Sequence, residues 1–261
     1  MPYNNAEAVE EIVKKYKDEL AALIIEPVQH GVPPRNGFLK SIREITERYD
    51  ILLVFDEVRT FRLSRGGAQE MYKVTPDITV LGKPIGGGFP IGAYVASEEI
   101  MKSLSYPEAS FPYLNRPRLA FSGTFNAHPI SMAAGLATLN ELKIQVYEYM
   151  NKLGQDLRTD LTKILNDLNI KAQVEGVGSF VPVFWTEEKV VDYRSLIAGD
   201  PRISQYFSID LLNRGVYYRG TPNVSAVTTN EDIKQTLQAM EQSLTSLKPI
   251  IRKISPNLII S

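Results

Sequence analysis

The chain has 261 residues, no cysteine, 44% hydrophobic and 23% charged side chains, a composition that supports a sizeable buried core and excludes both a disordered chain and a disulfide scaffold. Twenty-nine Lys and Arg against thirty Asp and Glu leave a formal charge of -1, so the balance does not suit a protein built to hold nucleic acid or an anionic membrane, and a small-molecule role stays open. The N-terminus, MPYNNAEAVEEIVKKYKDEL, is polar and acidic where a signal peptide is basic and then apolar, and no window approaches the ~18 uninterrupted apolar residues of a membrane span, so the expected compartment is the cytoplasm.

In chain order, Val9, Ile12, Val13, Tyr16 and Leu20 recur at helical spacing, and Ala21 to Val28 is a continuous apolar run broken by Pro27: helix, then buried strand. Gly37 opens a second helical stretch with Phe38, Ile42, Ile45 and Tyr49 on one face. Ile51 to Phe55 (ILLVF) is a second strand that ends abruptly in Asp56-Glu57. Asp77 to Leu81 is a third, leading into Gly82-Lys83, and Gly92 to Ala96 a fourth. Apolar runs separated by helices predict a sheet covered on both faces, as in α/β architectures.

Beyond Gly123 the pattern changes. Pro129 to Leu142 is a helix rich in small residues, suited to close packing, and Met150, Leu153, Leu157, Leu161, Ile164 and Leu168 mark a long amphipathic helix. Phe180 to Trp185 reads as a strand after Gly176 and Gly178. Ser204 to Asn213 reads as a helix ending at Gly215, and Asn230 is expected to N-cap a helix from Glu231 to about Leu247. The tail from Lys248 has no clear period. A small α+β domain is expected over residues 143–261, after a larger domain over 1–142.

Ligands of open α/β sheets bind beyond the carboxyl ends of the strands, and here those ends carry Glu26-Pro27, Asp56-Glu57 and Gly82-Lys83. Asp56 follows five apolar residues, and a partner with a protonated ring nitrogen would offset the cost of burying its charge. Lys83 lies between a strand and Gly86-Gly87-Gly88, where a lysine can lose its proton and act as the amine nucleophile of Schiff-base chemistry. An Asp-Glu pair at a strand end is by itself more often a turn or a cap than a catalytic pair. Neither dinucleotide fingerprint nor P-loop is present. His30 and His128 fit packing or hydrogen-bonding roles better than that of a base. Two histidines without cysteine leave too few ligands for a conventional structural zinc site, so no metal is expected.

Together, IIEPV, LLVFDEV, DITVLGKPIGGGFPIGA and FSGTFNAHPISMAAGLATL closely resemble the class III aminotransferases of the fold-type I pyridoxal-phosphate enzymes, in particular the glutamate-1-semialdehyde aminomutase-like branch. The resemblance runs from about residue 3 to residue 247. It implies a partial fold-type I α/β fold: a mainly parallel sheet with flanking helices and a small C-terminal α+β domain. It implies pyridoxal 5'-phosphate as cofactor and an amino acid or keto/aldehyde compound as substrate, handled by an aminotransferase or aminomutase. Lys83 would form the Schiff base with the cofactor aldehyde and later carry a proton to and from the substrate α-carbon. Asp56 would hold the pyridine nitrogen protonated, making the ring an electron sink. Val58 would pack on one ring face. Thr124 would reach the cofactor phosphate of a neighbouring subunit, which implies a homodimer.

The chain departs from that pattern in three ways, one of them a C-terminal stretch, GVYYRGTPNVSAVTT, that is shorter than the corresponding aminomutase segment. Arg59 stands where many relatives carry Gln or Met, which alters the expected contact to the ring hydroxyl. The chain also begins well inside such a protein, without the Ser-Gly-Thr phosphate loop and the aromatic that stacks on the other ring face. Such a loop seats a dianion on free N-H groups at a helix N-terminus, and missing strands leave a sheet edge open. Three readings follow: a subunit associating with a separate N-terminal half, a truncated non-catalytic relative serving as an interaction module, or a fragment.

Overall fold

The computed structural model describes residues 1–35, 37–102, 123–220 and 223–260. Helix α1 (Ala6–Tyr16) starts where the Asn5 side chain accepts from the Ala8 N-H at 3.0 Å, satisfying one of the free donors of a first turn. It leads to strand β1 (Ala22–Ile25). Helix α2 (Phe38–Arg48) buries Phe38, Leu39, Ile42 and Ile45, and Gly37 before it adopts φ 71°, a left-handed conformation that costs glycine little. Strand β2 (Leu52–Asp56), helix α3 (Gly67–Tyr72), strand β3 (Ile78–Gly82), strand β4 (Gly92–Ala96) and the short helix α4 (Glu98–Met101) follow.

The four strands form one sheet in the order β1-β2-β3-β4, with β1, β2 and β3 parallel and β4 antiparallel to β3. The apolar layer beneath joins Leu23, Leu53 and Phe55 of the strands to Val9 and Val13 of α1 and Ile42 and Ile45 of α2. The α/β expectation therefore holds, and one part of it is corrected. Strand β4 was expected to be covered on both faces, yet its residues are half-buried or exposed, Val95 at 55%. The physical reason is its antiparallel return from β3, which brings no crossover helix to cover it.

Helix α5 (Pro129–Glu141) precedes α6 (Ile144–Asp167), which buries Met150, Leu153, Leu157, Leu161 and Leu165. The expected strand over Phe180–Trp185 shrinks to a two-stranded ribbon of β5 (Gln173–Val174) and β6 (Val183–Phe184); Phe180 forms only an isolated bridge with Asn223. After α7 (Tyr193–Ile197), α8 (Pro201–Asn213) ends at Arg214, and Gly215 beyond it takes φ 84°. Helix α9 (Asn230–Ile254) corrects the sequence reading at both ends. Thr229, not Asn230, is the N-cap, in a reciprocal box with Asp232. The helix also runs through Pro249 to Ile254, past the expected end at Leu247. Leu247 and Ile251 are buried in a cluster with Leu161, Phe207, Leu211 and Leu258, and that burial offsets the ~3 kcal/mol cost of an internal proline. Among the described residues no helix is long and apolar enough to cross a membrane.

Candidate active site

The parallel register brings the expected residues together. Ile25 is level with Phe55, so Glu26 and Asp56, one step on, stand side by side at the ends of β1 and β2. Asp56 is in turn level with Val80, and Lys83 immediately follows β3. Three adjacent strand ends thus carry carboxylate, carboxylate and amine. Asp56 is half-buried, and its Oδ1 accepts from the Val58 N-H at 3.0 Å. Its carboxylate is fixed by its own turn while a second oxygen is left to accept. Val58, two residues beyond Asp56, lies against Gly82, where an added Cβ would meet Val58 Cγ1 at 3.4 Å. The valine therefore sits beside the residue that precedes the lysine.

Glu57 has the other fate open to an Asp-Glu pair. It is fully buried, and its Oε2 accepts from Thr60 Oγ1 at 2.5 Å and from the Ala68 N-H at 2.8 Å, while Oε1 accepts from the Gln69 N-H at 2.8 Å. It therefore satisfies the free amides at the start of α3. Gly67 has φ 77°, and a Cβ there would sit 2.7 Å from Glu57 Oε1, so the glycine makes room for the carboxylate. Alternation along the chain turns one acid of the pair into the crevice and the other into the interior.

Lys83 is exposed, begins a short 3-10 turn over Lys83–Gly86 and adopts φ 44°. A non-glycine residue held in the left-handed region costs of order 1–3 kcal/mol and persists only where its surroundings fix it. Here α5 does so. A Cβ at Gly135 would lie 2.5 Å from the Ile85 carbonyl oxygen, and one at Gly87 2.6 Å from the Ala134 carbonyl oxygen. The small residues of α5 serve the close packing expected of them. Among the described residues the Lys83 amine has no hydrogen bond or ion pair, which leaves it free to react.

Thr124 lies on an exposed turn before α5, and Phe121 and Ser122 of the same motif are outside the described residues. His128 caps α5, its Nδ1 accepting from the Ser131 N-H at 3.4 Å, and His30 packs 5.6 Å from the Tyr193 ring; both histidines have the supporting roles expected. Arg59 lies over the Phe180 ring at 5.5 Å, and Arg62 approaches the same ring at 5.9 Å. Burial first, then the Arg59 charge, lowers the Arg62 pKa. The sequence reading missed Tyr3, whose hydroxyl donates to the Pro27 carbonyl at 2.7 Å and pins the backbone just after Glu26. A lone tyrosine near a chain start carries no pattern that could have revealed this.

The arrangement fits a pyridoxal group on this chain's own observations. Among the described residues, an unpaired amine lies at one strand end, a turn-fixed carboxylate at the next, and at the third a Glu26 whose buried Oε2 lacks a hydrogen-bond partner.

Comparison with known proteins agrees. Glutamate-1-semialdehyde 2,1-aminomutase 2 of Brevibacillus brevis is 41% identical over 254 residues, covering 94% of this chain and 57% of that relative. The corresponding aminomutase of Natranaerobius thermophilus is 38% identical with the same coverage of each. Among solved structures, an omega-transaminase from Sphaerobacter thermophilus superposes with a TM-score of 0.86 at 32% identity, over 95% of this chain and 57% of that one. A glutamate-1-semialdehyde aminomutase from Pseudomonas aeruginosa in complex with PMP gives 0.84 at 25% identity, over 95% and 56%. The chain thus spans somewhat more than half the length of the relatives it matches. A further solved neighbour, a transaminase with PLP bound, superposes with a TM-score of 0.82 at 28% identity, over 97% of this chain and 58% of that one. The class-III aminotransferase profile matches residues 2–245, and with the sheet and the strand-end residues in place, the chain belongs to the class-III aminotransferase family.

Proposed function

We propose that this chain uses pyridoxal 5'-phosphate to move an amino group on an amino acid or an amino-aldehyde or keto compound, as an aminotransferase or aminomutase. The observation that carries the reading is the placement of Asp56 and Lys83 on neighbouring strand ends. When bound, the cofactor supplies an electron sink for charge developing at the substrate α-carbon. Lys83 would supply the amine that holds the cofactor aldehyde, and the same amine would carry a proton at the substrate α-carbon. Asp56 holds a proton on the ring nitrogen, and Val58 packs on the ring face.

Residues 1–142 act as part of a larger cofactor domain and residues 143–261 as a small C-terminal domain, working in the cytoplasm. Thr124 serves the cofactor phosphate of a second copy. Either that copy or a separate N-terminal half covers the outer edges of β1 and β4, which end the strand order among the described residues, and the exposed apolar side chains Ile24 and Val95 beside them. The test is to add pyridoxal phosphate to the purified chain, reduce with borohydride and map the adduct. Cofactor fixed on Lys83, with the absorption band lost in Lys83→Ala, is the expected result; an adduct on another lysine overturns the assignment.

A further inference from the structure

Glu26 is unused by the roles assigned so far. It stands level with Asp56 on the neighbouring strand, and the two acids line one cavity of about 290 Å³ with Tyr3, Leu23, Gln29 and Phe38. Glu26 and Asp56 are the only side chains in that lining with a formal charge. Among the described residues Glu26 Oε2 is buried without a hydrogen-bond partner, a costly state for a polar atom unless something arrives to use it. Its backbone is also held: the Tyr3 hydroxyl, itself buried, donates to Pro27 O at 2.7 Å. Burial, followed by the charges of Tyr72 and Glu26, pushes the Tyr3 phenol well above its usual range, so Tyr3 stays a neutral donor and brings no charge of its own.

We propose that Glu26 is a positioning residue of the ring-nitrogen site, a second carboxylate whose negative field adds to that of Asp56 and strengthens the hold on a protonated ring nitrogen. Asp56 makes the contact; Glu26 acts beside it through the shared cavity. The inference rests on the proposed cofactor reading and deepens it. The groups facing Glu26 that could change charge are Asp56 on β2, Tyr3 and the Met1 amine on the N-terminal segment, and Tyr72 of α3 behind Tyr3. No Lys, Arg or His side chain lines the cavity; the Met1 ammonium is the one group in that lining whose charge opposes the field of Glu26.

The experiment is a spectroscopic pH titration of the cofactor-loaded protein, read from its absorption band rather than from turnover. It compares the native chain with Glu26→Gln, Glu26→Asp and Asp56→Asn. Removing a negative charge beside a protonated group makes that proton easier to lose. Glu26→Gln should therefore shift the midpoint downward by about one pH unit, a tenfold loss of proton affinity, and weaken cofactor binding severalfold. Glu26→Asp, which keeps the charge, should stay near the native midpoint. Asp56→Asn should shift it further. A midpoint unmoved in Glu26→Gln while Asp56→Asn moves it overturns the Glu26 role and leaves the cofactor site standing. A midpoint moved equally by Glu26→Asp and Glu26→Gln overturns the field argument, because shape and not charge would then be responsible. No cofactor binding by the native chain, or no response to Asp56→Asn, overturns the cofactor reading and this inference with it.

Discussion

At the ends of β1, β2 and β3, polar groups are held in place but, among the described residues, left with unused capacity: Glu26 has an unpartnered buried oxygen, Asp56 a single backbone donor, and Lys83 a left-handed backbone and an unpaired amine. Around α8 and α9 most polar groups close on one another, with the buried Ser243 Oγ as the exception. Arg214 reaches Asp210, Gln242 and Ser246, Asp200 accepts from Arg202 and Ser255, and Thr229 and Asp232 cap reciprocally. Saturated groups hold helices to one another, whereas groups fixed yet unsaturated are what a ligand site requires. The Asp56-Glu57 pair shows both within two residues. Changes in the first region should therefore alter chemistry with little loss of stability, and changes in the second should do the reverse.

The sharpest way to break that contrast is Asp56→Asn. Exchange of the α-proton of a bound amino acid should slow by about 1,000-fold, with the melting temperature nearly unchanged; equal exchange rates in a folded variant would show that Asp56 has no electrostatic role. Glu57→Gln should do the opposite. A neutral amide cannot accept from Thr60, Ala68 and Gln69 together, so unfolding free energy measured in urea should fall by about 3 kcal/mol. Gly135→Ala should cost about 2 kcal/mol by forcing a methyl group against the Ile85 carbonyl, and it should also weaken cofactor binding, since the loop that carries Lys83 must move.

The smallest expected effect is at Asp200. The Arg202 guanidinium, then Ser255 against the opposing pull of desolvation, holds its carboxyl below the usual carboxylate range. A carboxyl depressed on folding stabilises the protein above its unfolded value and loses that contribution as the pH falls through its folded value. The melting temperatures of the native chain and Asp200→Asn should therefore differ slightly at neutral pH and converge in strong acid. A difference that widens on acidification would contradict the assignment.

Much of the sheet was legible because apolar runs with polar ends encode buried parallel strands, and the resemblance of four ordered motifs marked Asp56, Val58 and Lys83. What stayed hidden depends on contacts distant in sequence. Nothing local says that Glu57 points inward to α3 while Asp56 points to the crevice, or that Tyr3 braces Pro27 from 24 positions away. The extension of α9 through Pro249 was equally unreadable, because burial of Leu247 and Ile251 by α8 and the chain end overrides a local helix breaker. Strand β4 misled in the other direction: its apolar run matched that of a buried strand, but its antiparallel return leaves it at the margin.

The fit of α5 against the turn after β3 has a mechanical consequence. With a clearance smaller than a methyl group at Gly135 and Gly87, helix and turn cannot slide past each other, so they behave as one stiff part. The lysine's position is then inherited from the helix axis as much as from the strand, and its reach toward Asp56 is gauged by two glycines whose own atoms never enter the reaction.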